Sequence, residues 1–445
     1  MAGGIFKPSQ PKVRPGTFVN VKNGKVKERS NSKTGIALLP LIGYDWGPRE
    51  TWIGVSSDSP DSAKNLLGRG VDDENIFMFM LRLMLTNVAE VYVYITGGGA
   101  KAAGTMETAE GTAEITAKYP GELGNKIKLV SVANPVGGFD VSVMLGTSEV
   151  ELFEGVTAVA DLAGSSYVNV SGEGELKAFA SLALTGGNDD KEAVNASVAK
   201  FLDASEKIRF NSMAFPVTDE SLIAAAISKI RYIRNAIGWK CTAVVANTAA
   251  DYEGIINLTN AFVIDGVELT SAQATAWLAG ADAGASYTTT LTYKTVDGAT
   301  AVVGEKTNEQ SEQAIKNGET FFSVSESGEV ILEYDVNSKV TFTEDDPQDI
   351  NKGRPRRVYD TLANEILLAF PPGRFNNYED DWGITEGLGK EILKRYETDR
   401  AAKNVNLDQD FLVDREKSVG NSTYITVGIQ PMESTEKYYF TVNAR

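Results

Sequence analysis

No histidine occurs anywhere in the 445 residues. That absence removes Ser-His-Asp and Cys-His catalysis, zinc-histidine sites and imidazole pH sensing together. A single cysteine, Cys241, forbids an intrachain disulfide and any multi-cysteine metal site. It sits in the apolar stretch Lys240-Cys241-Thr242-Ala243-Val244-Val245 and reads as a small buried hydrophobe rather than a reactive thiol. Long apolar runs are missing too. The most apolar segment, 76–85, is short and interrupted by Arg82, whereas a membrane span needs about 20 apolar residues. The opening Met1-Ala2-Gly3-Gly4-Ile5-Phe6-Lys7-Pro8 has no apolar stretch of a secretory signal. The expectation is a soluble protein that stays in the cytoplasm, with no direct membrane insertion. Positive charge is scarce as well: 43 Lys and Arg face 60 Asp and Glu, a net of −17, which argues against a general nucleic-acid binder.

What is present is an ordinary folded composition, 42% hydrophobic and 23% charged, long enough for about three domains. The charge is unevenly spread. Residues 1–33 carry Lys7, Lys12, Arg14, Lys22, Lys25, Lys27, Arg29 and Lys33 against Glu28, a net of +7, which leaves −24 on the rest. A basic tail suggests nucleic acid first. This one also has strand character, with Phe18, Val19 and Val21 before Asn23-Gly24, a hairpin signal, and Val26 beyond. A basic, β-capable arm on an acidic chain suits docking on another copy of itself.

The fold class expected is α+β multidomain: an α/β core with parallel strand-helix-strand units, an inserted β-sandwich and extended terminal β arms. An N-terminal arm (1–30) leads into a first part of the core (31–96), with a strand at 36–41, a helix near 74–87 and a strand at 91–95. Residues 97–187 hold 16 glycines, short β-like runs and 11 acids against 5 bases, the texture of an exposed β-sandwich insertion. The core resumes over 188–350. There a helix near 190–207, a strand at 211–215, a helix near 220–236 opened by Asp219 and closed by Gly238, and a strand at 241–246 spell a parallel crossover. Further β segments are expected at 261–269, 287–296, 320–324 and 330–334, with a helix near 271–281. An inner C-terminal domain (351–421) carries helices near 356–370 and 384–402. The latter shows Ile384, Leu388, Ile392 and Tyr396 on one stripe, with Lys390, Lys394 and Arg395 off it. A C-terminal arm (422–445) closes on two alternating runs, 425–429 and 438–442.

Motifs for chemistry fail on inspection. Gly97-Gly98-Gly99-Ala100-Lys101-Ala102-Ala103-Gly104 follows a strand, but no amphipathic helix follows it to receive a pyrophosphate, so it reads as a linker. The 383–391 run has the wrong spacing for a phosphate loop and Glu391 where a Ser or Thr must ligate magnesium. Glu344-Asp345-Asp346 and Glu379-Asp380-Asp381 lack calcium-loop spacing and read as solvated turns, although carboxylate pairs assembled by folding are invisible in sequence. Arg354-Pro355-Arg356-Arg357 opens a helix as a basic cluster suited to bridging acidic protein surface.

A collinear series of segments carries a resemblance. Lys12-Val13-Arg14-Pro15-Gly16-Thr17-Phe18-Val19-Asn20, Tyr119-Pro120-Gly121-Glu122-Leu123-Gly124-Asn125-Lys126-Ile127, Leu184-Thr185-Gly186-Gly187, the stretch from Gly238-Trp239-Lys240 to Asn257, and Trp277-Leu278-Ala279-Gly280-Ala281-Asp282-Ala283-Gly284 resemble contractile-tail sheath proteins of myovirus-type phages. The likeness is greatest to the group in Gram-positive prophages and phage-tail-like bacteriocins. It implies a structural subunit without active site or cofactor, stacked in six-fold rings as a helical sheath around a tail tube. Baseplate and tail-terminator proteins would be further partners, with neither nucleic acid nor membrane bound. It also implies terminal arms that lend strands to neighbours. On that basis Thr17, Phe18, Val19, Asn20 and Val21, with Tyr438, Tyr439, Phe440, Thr441 and Val442, are the exchanged strands, and Lys390, Lys394 and Arg395 face the tube. The alternatives are another assembly protein (tube, shell or surface layer) and, less favoured, a carboxylate-dependent hydrolase.

Overall fold

The computed structural model describes residues 2–4, 16–18, 33–190 and 194–444. The chain divides into two units, Met1–Lys33 and Thr34–Arg445. In the first, Ala2–Gly4 and Gly16–Phe18 pair as parallel strands, with Thr17 opposite Gly3 and Phe18 opposite Gly4. Val19, Asn20, Val21 and the Asn23-Gly24 hairpin signal lie outside the described residues.

The second unit is built on a seven-stranded sheet ordered Glu319–Thr320, Ile255–Leu258, Thr242–Ala246, Ser212–Ala214, Ile36–Leu41, Glu90–Ile95 and Trp52–Ser56. Every neighbouring pair is parallel except the last. The central strands are buried on both faces, which is why they read as unbroken apolar runs. Leu38, Met213, Ala243, Val245 and Ile255 join one core, while Leu39, Leu41, Ala214, Val244 and Ile256 join the other. That split is the two-residue period of a pleated strand.

The helices, in chain order, are α1 (Lys64–Leu67), α2 (Ile76–Leu85), α3 (Val194–Ser205), α4 (Glu220–Tyr232), α5 (Ser271–Gly284), α6 (Asn308–Lys316), α7 (Gly353–Ala369) and α8 (Glu379–Thr398). Side chains of α2 and α5 complete one core, those of α3 and α4 the other. Ala and Gly fill eight of the fourteen positions of α5, and α2 lies against it at backbone contact. A Cβ on Gly280 would stand 2.6 Å from the Met84 carbonyl oxygen, and one on Gly284 2.0 Å from that of Asn87. Asp219 caps α4, accepting from the Ser221 and Leu222 amides at 2.9 and 3.0 Å. The helix expected over 220–236 changes to a π turn at Ile233–Ile237 and stops at Gly238, whose φ of +91° is left-handed.

Between Ile95 and α3 the chain forms two small antiparallel sheets. One is Ser148–Val156, Phe139–Leu145, Ile127–Ala133 and Leu182–Ala183; the other is Val168–Ser171, Thr112–Ala117 and Ala103–Glu107. The expected linker at 97–104 thus runs into a strand, and Met106 is in the core. Arg49 ties this insertion to the sheet, donating to the Tyr44 carbonyl at 2.6 Å, the Pro120 carbonyl at 3.1 Å and the Asp189 carboxylate at 3.0 Å.

Several segments differ from expectation for local reasons. The run 261–269 is a hairpin, Ala261–Ile264 with Val267–Glu268, turned by Asp265-Gly266 with φ of 51° and 76°. Residues 287–296 form no strand, only an isolated bridge from Thr295 to Ile331. The Ser286 hydroxyl bonds those of Thr288 and Thr289, and the Leu291 amide donates to Asp335 at 2.9 Å instead of to a ladder. The expected 320–324 strand splits: Glu319–Thr320 stays in the large sheet and Phe322–Val324 pairs with Val330–Leu332.

Candidate functional site

The basic cluster that opens α7 turns inward, which corrects its expected place on an acidic protein surface. Arg356 donates to Asp282 on α5 at 2.5 Å and to Asp360 at 3.2 Å. Arg357 donates to Asp282 at 2.9 Å, to the Thr289 carbonyl at 3.0 Å and to Asp335. Arg234, in the π turn, grips Asp360 through both terminal nitrogens at 2.8 and 2.9 Å. All six side chains are buried. Thr242, from the middle of the sheet, donates to Asp282 at 2.7 Å. Burial works against the Asp282 carboxylate, but Arg356, Arg357 and Thr242 outweigh it and hold its pKa below the usual carboxylate range. Burial likewise penalises the Arg357 charge, and Asp335 with Asp282 more than offsets it, so its pKa is raised. Gly353 is obligatory at the head of the helix, because a Cβ there would lie 1.9 Å from an Asp335 carboxylate oxygen. The sequence hint for this network was Asp282 itself, one charge in an otherwise Ala- and Gly-rich helix, where a buried carboxylate demands a partner.

The outer side of the same turn holds the root of the C-terminal arm. Gln430–Pro431 pairs with Ala402–Lys403, and the Met432 amide donates to the Ala401 carbonyl at 2.7 Å. Lys352 pairs with Glu433 and stands 3.9 Å from Glu436. Arg354 donates to the Ser434 hydroxyl at 2.8 Å, and the Tyr334 hydroxyl to Glu436 at 2.7 Å. Burial and then Glu436 push the Tyr334 pKa up. Beyond Glu436 the hold ends. Tyr438, Tyr439, Phe440 and Val442 are 71, 89, 85 and 91% exposed, and Thr441 is exposed as well. Among the described residues, 438–442 pair with no strand. The Tyr438 and Phe440 rings stack at 6.2 Å, on one side of an extended backbone. Upstream, Ile425–Val427 pairs antiparallel with Phe411–Val413 as a two-stranded sheet.

Helix α8 covers Glu379–Thr398 rather than 384–402, and its apolar stripe is rotated from the expected one. The buried face is Thr385, Glu386, Gly389, Ile392, Leu393 and Tyr396, while Ile384 is 58% exposed. The Phe411 ring sets this rotation by seating on Gly389, where a Cβ would be 2.3 Å from it. Glu386 turns inward to accept the Val413 amide at 3.0 Å. Lys390 is half-buried and Lys394 exposed. Arg395 is spoken for, donating to Glu365 at 2.5 Å.

The remaining candidates hold no assembled chemistry. Residues 383–391 are helix, not a loop. Asp346 accepts the Thr343 amide at 2.8 Å and pairs with Lys339 at 3.1 Å, a capped turn. Cys241 is buried, and burial pushes its thiol pKa up to about 12. Among the described residues, no three His, Cys, Asp or Glu side chains are grouped to hold a metal, and no helix is long and apolar enough to cross a membrane.

Family models place these parts. That of the phage tail sheath protein β-sandwich domain matches residues 97–190, that of the central domain 191–338, and that of the tail sheath C-terminal domain 345–445. The phage-like element PBSX protein XkdK of Bacillus subtilis is 30% identical over 474 aligned positions, covering 99% of each chain. The chain belongs to the phage tail sheath protein family. The sheath tail protein of Desulfitobacterium hafniense, solved by crystallography, superposes with a TM-score of 0.82 at 31% identity over 96% of this chain and 99% of that one. The helical sheath of the anti-feeding prophage, in its contracted state, shares the fold at a TM-score of 0.55 and 11% identity, covering 98% of this chain and 100% of that one. The chain is thus a structural subunit of a contractile tail sheath, with the mixed α/β multidomain architecture of its relatives. The tube, shell, surface-layer and hydrolase alternatives are not favoured.

Proposed function

We propose that this sheath protein stacks in six-fold rings as a helical cylinder around a tail tube, and that strands lent from its terminal arms, Thr17–Val21 and Tyr438–Val442, lace neighbouring subunits together. The observation that carries this reading is the departure of the C-terminal arm after Glu436, with Tyr438, Phe440 and Val442 exposed and, among the described residues, paired with no strand. An extended segment with alternating apolar side chains is the donor half of strand addition. The two-stranded Phe411–Val413/Ile425–Val427 sheet offers an edge, since so small a ribbon is marginal until extended. The +7 on residues 1–33 and the −24 elsewhere supply long-range attraction between copies.

Five residues at roughly 0.5–1.5 kcal/mol per net hydrogen bond give each joint only a few kcal/mol. Repetition of a head-to-tail contact makes the lattice strong while each body remains able to rotate. Contraction is then rigid-body rotation about these joints, which shortens the cylinder and drives the tube through a target envelope. Baseplate and terminator proteins close the two ends, and assembly takes place in the cytoplasm of the host bacterium. The role is mechanical, with no substrate turned over and no cofactor or nucleic acid assigned.

Chains lacking 1–22 or 436–445 are expected to fold and stay soluble but to form no cylinders in negative-stain micrographs of concentrated protein. Ordered tubes from either truncation reject the arm assignment.

A further inference from the structure

One turn of helix faces two ways. Lys352 and Arg354 point to the arm, at Glu433, Glu436 and Ser434, while Arg356 and Arg357 point to the core, at Asp282, Asp335 and Asp360. The facing segment is divided in the same manner: Tyr334 donates to Glu436 in the arm, and its neighbour Asp335 accepts from Arg357. The two segments are themselves joined, with Val336 bridged to Lys352 and the Gly353 amide donating to the Asp335 carbonyl at 2.8 Å. From Asp282 the chain of contacts continues to Thr242 in the centre of the large sheet.

We infer that the first turn of α7, with Tyr334-Asp335, is the joint through which a pull on the C-terminal arm reaches the α/β core, and that Lys352, Arg354 and Tyr334 are positioning residues for strand exchange. This rests on the arm-exchange reading. A neighbour that holds residues 438–442 pulls first on 433–436, because among the described residues nothing pairs with the arm beyond Glu436. Links in series fail at the weakest. The inner links are buried, and separating them strands charge away from water. The outer links are partly solvated, with Lys352 28% and Glu433 43% exposed, so they give first and set both the exit direction of the arm and the strength of the joint.

The test uses the full chain, with Lys352→Glu, the exchanged pair Lys352→Glu/Glu433→Lys, and a chain lacking 437–445 that leaves every clip in place. Sedimentation and negative-stain microscopy give the critical concentration for cylinders, and amide hydrogen exchange of the unassembled protein gives local order. Lys352→Glu is expected to raise the critical concentration by about fivefold, the upper scale of one lost, partly exposed ion pair per contact. It is also expected to speed exchange at 432–436 without touching 242–246, and the exchanged pair to restore both. Wild-type cylinders from Lys352→Glu, alongside none from the truncated chain, overturn the joint and leave arm exchange standing. Wild-type cylinders from the truncated chain overturn arm exchange, and the joint with it. Failure of the exchanged pair to rescue, or loss of protection at 242–246, also overturns the joint, by showing that Lys352 acts elsewhere or only in folding.

Discussion

Arg356, on the first turn of α7, donates to Asp282 on α5 at 2.5 Å, across 74 residues of sequence. The contact ties the C-terminal domain to a helix that is itself packed on the central sheet. Asp282 is shared with Arg357 and Thr242, and Arg356 with Asp360, so no charge in the set depends on a single partner. Such a network is costly to desolvate and contributes little net stability over an apolar plug, but it is unforgiving once broken. It fixes how α7 meets the core, a geometry that a greasy contact would leave freer to slide.

Asp282→Asn tests that account. Removing the charge leaves Arg356 and Arg357 facing each other with less compensation, and the expected loss is about 3 kcal/mol at neutral pH. The Asp282 pKa is depressed in the folded protein. Its contribution is therefore complete above the unfolded carboxylate value of about 3.9 and vanishes as pH falls through the lower folded value. Urea titrations of the unassembled chain between neutral pH and that acid range should show a shallower acid decline for the variant than for the wild type. Equal stability at neutral pH would falsify the network's role.

The glycines of α8 give a sharper contrast, because they sit on one helix in different surroundings. Nothing lies within 4 Å of a Cβ on Gly387, whereas one on Gly389 would be 2.3 Å from the Phe411 ring. Gly387→Ala should stabilise the unassembled protein by about 0.5–1 kcal/mol, through helix propensity alone. Gly389→Ala should cost about 1–3 kcal/mol, as overpacking does. Thermal melts of the two variants decide this, and a matching sign for both contradicts the observed rotation of the helix.

What the sequence revealed and what it hid divide along physical lines. Helix α4 was legible because its cap, Asp219, and its apolar spacing at Leu222, Ile223, Ala226 and Ile230 are both local signals. The central strands were legible because burial on two faces leaves unbroken apolar runs. Two further local signals lie in the sequence: Asp265-Gly266, which turns a hairpin inside the expected 261–269 strand, and the capping box of Thr307 with Gln310 that opens α6. Of the Asp282 network only the lone charge of α5 is a sequence signal; its members come from four separate segments that only the tertiary fold brings together. The buried face of α8 differs from the expected stripe because a glycine in a helix carries no sign of which aromatic ring will rest on it.

That rotation also bears on the surface offered to a tube. Lys390, Lys394 and Arg395 entered as equals, yet Arg395 is already paired with Glu365 at 2.5 Å and its charge is largely answered. Among the described residues, Lys390 and Lys394 have no carboxylate partner. Lys394 lies on the exposed side of α8 with Gly387 and Ile384. If an acidic tube runs along this helix, the two lysines carry the attraction, which salt should weaken because exposed charges are screened within about 10 Å at 0.1 M. The double change Lys390→Glu/Lys394→Glu is expected to leave sheath polymerisation intact while abolishing co-sedimentation with tube at low salt, and Arg395→Ala to have a much smaller effect. Unchanged co-assembly of the double variant would remove α8 from the tube contact altogether, and a loss with Arg395→Ala alone would move the contact to the opposite flank of the helix.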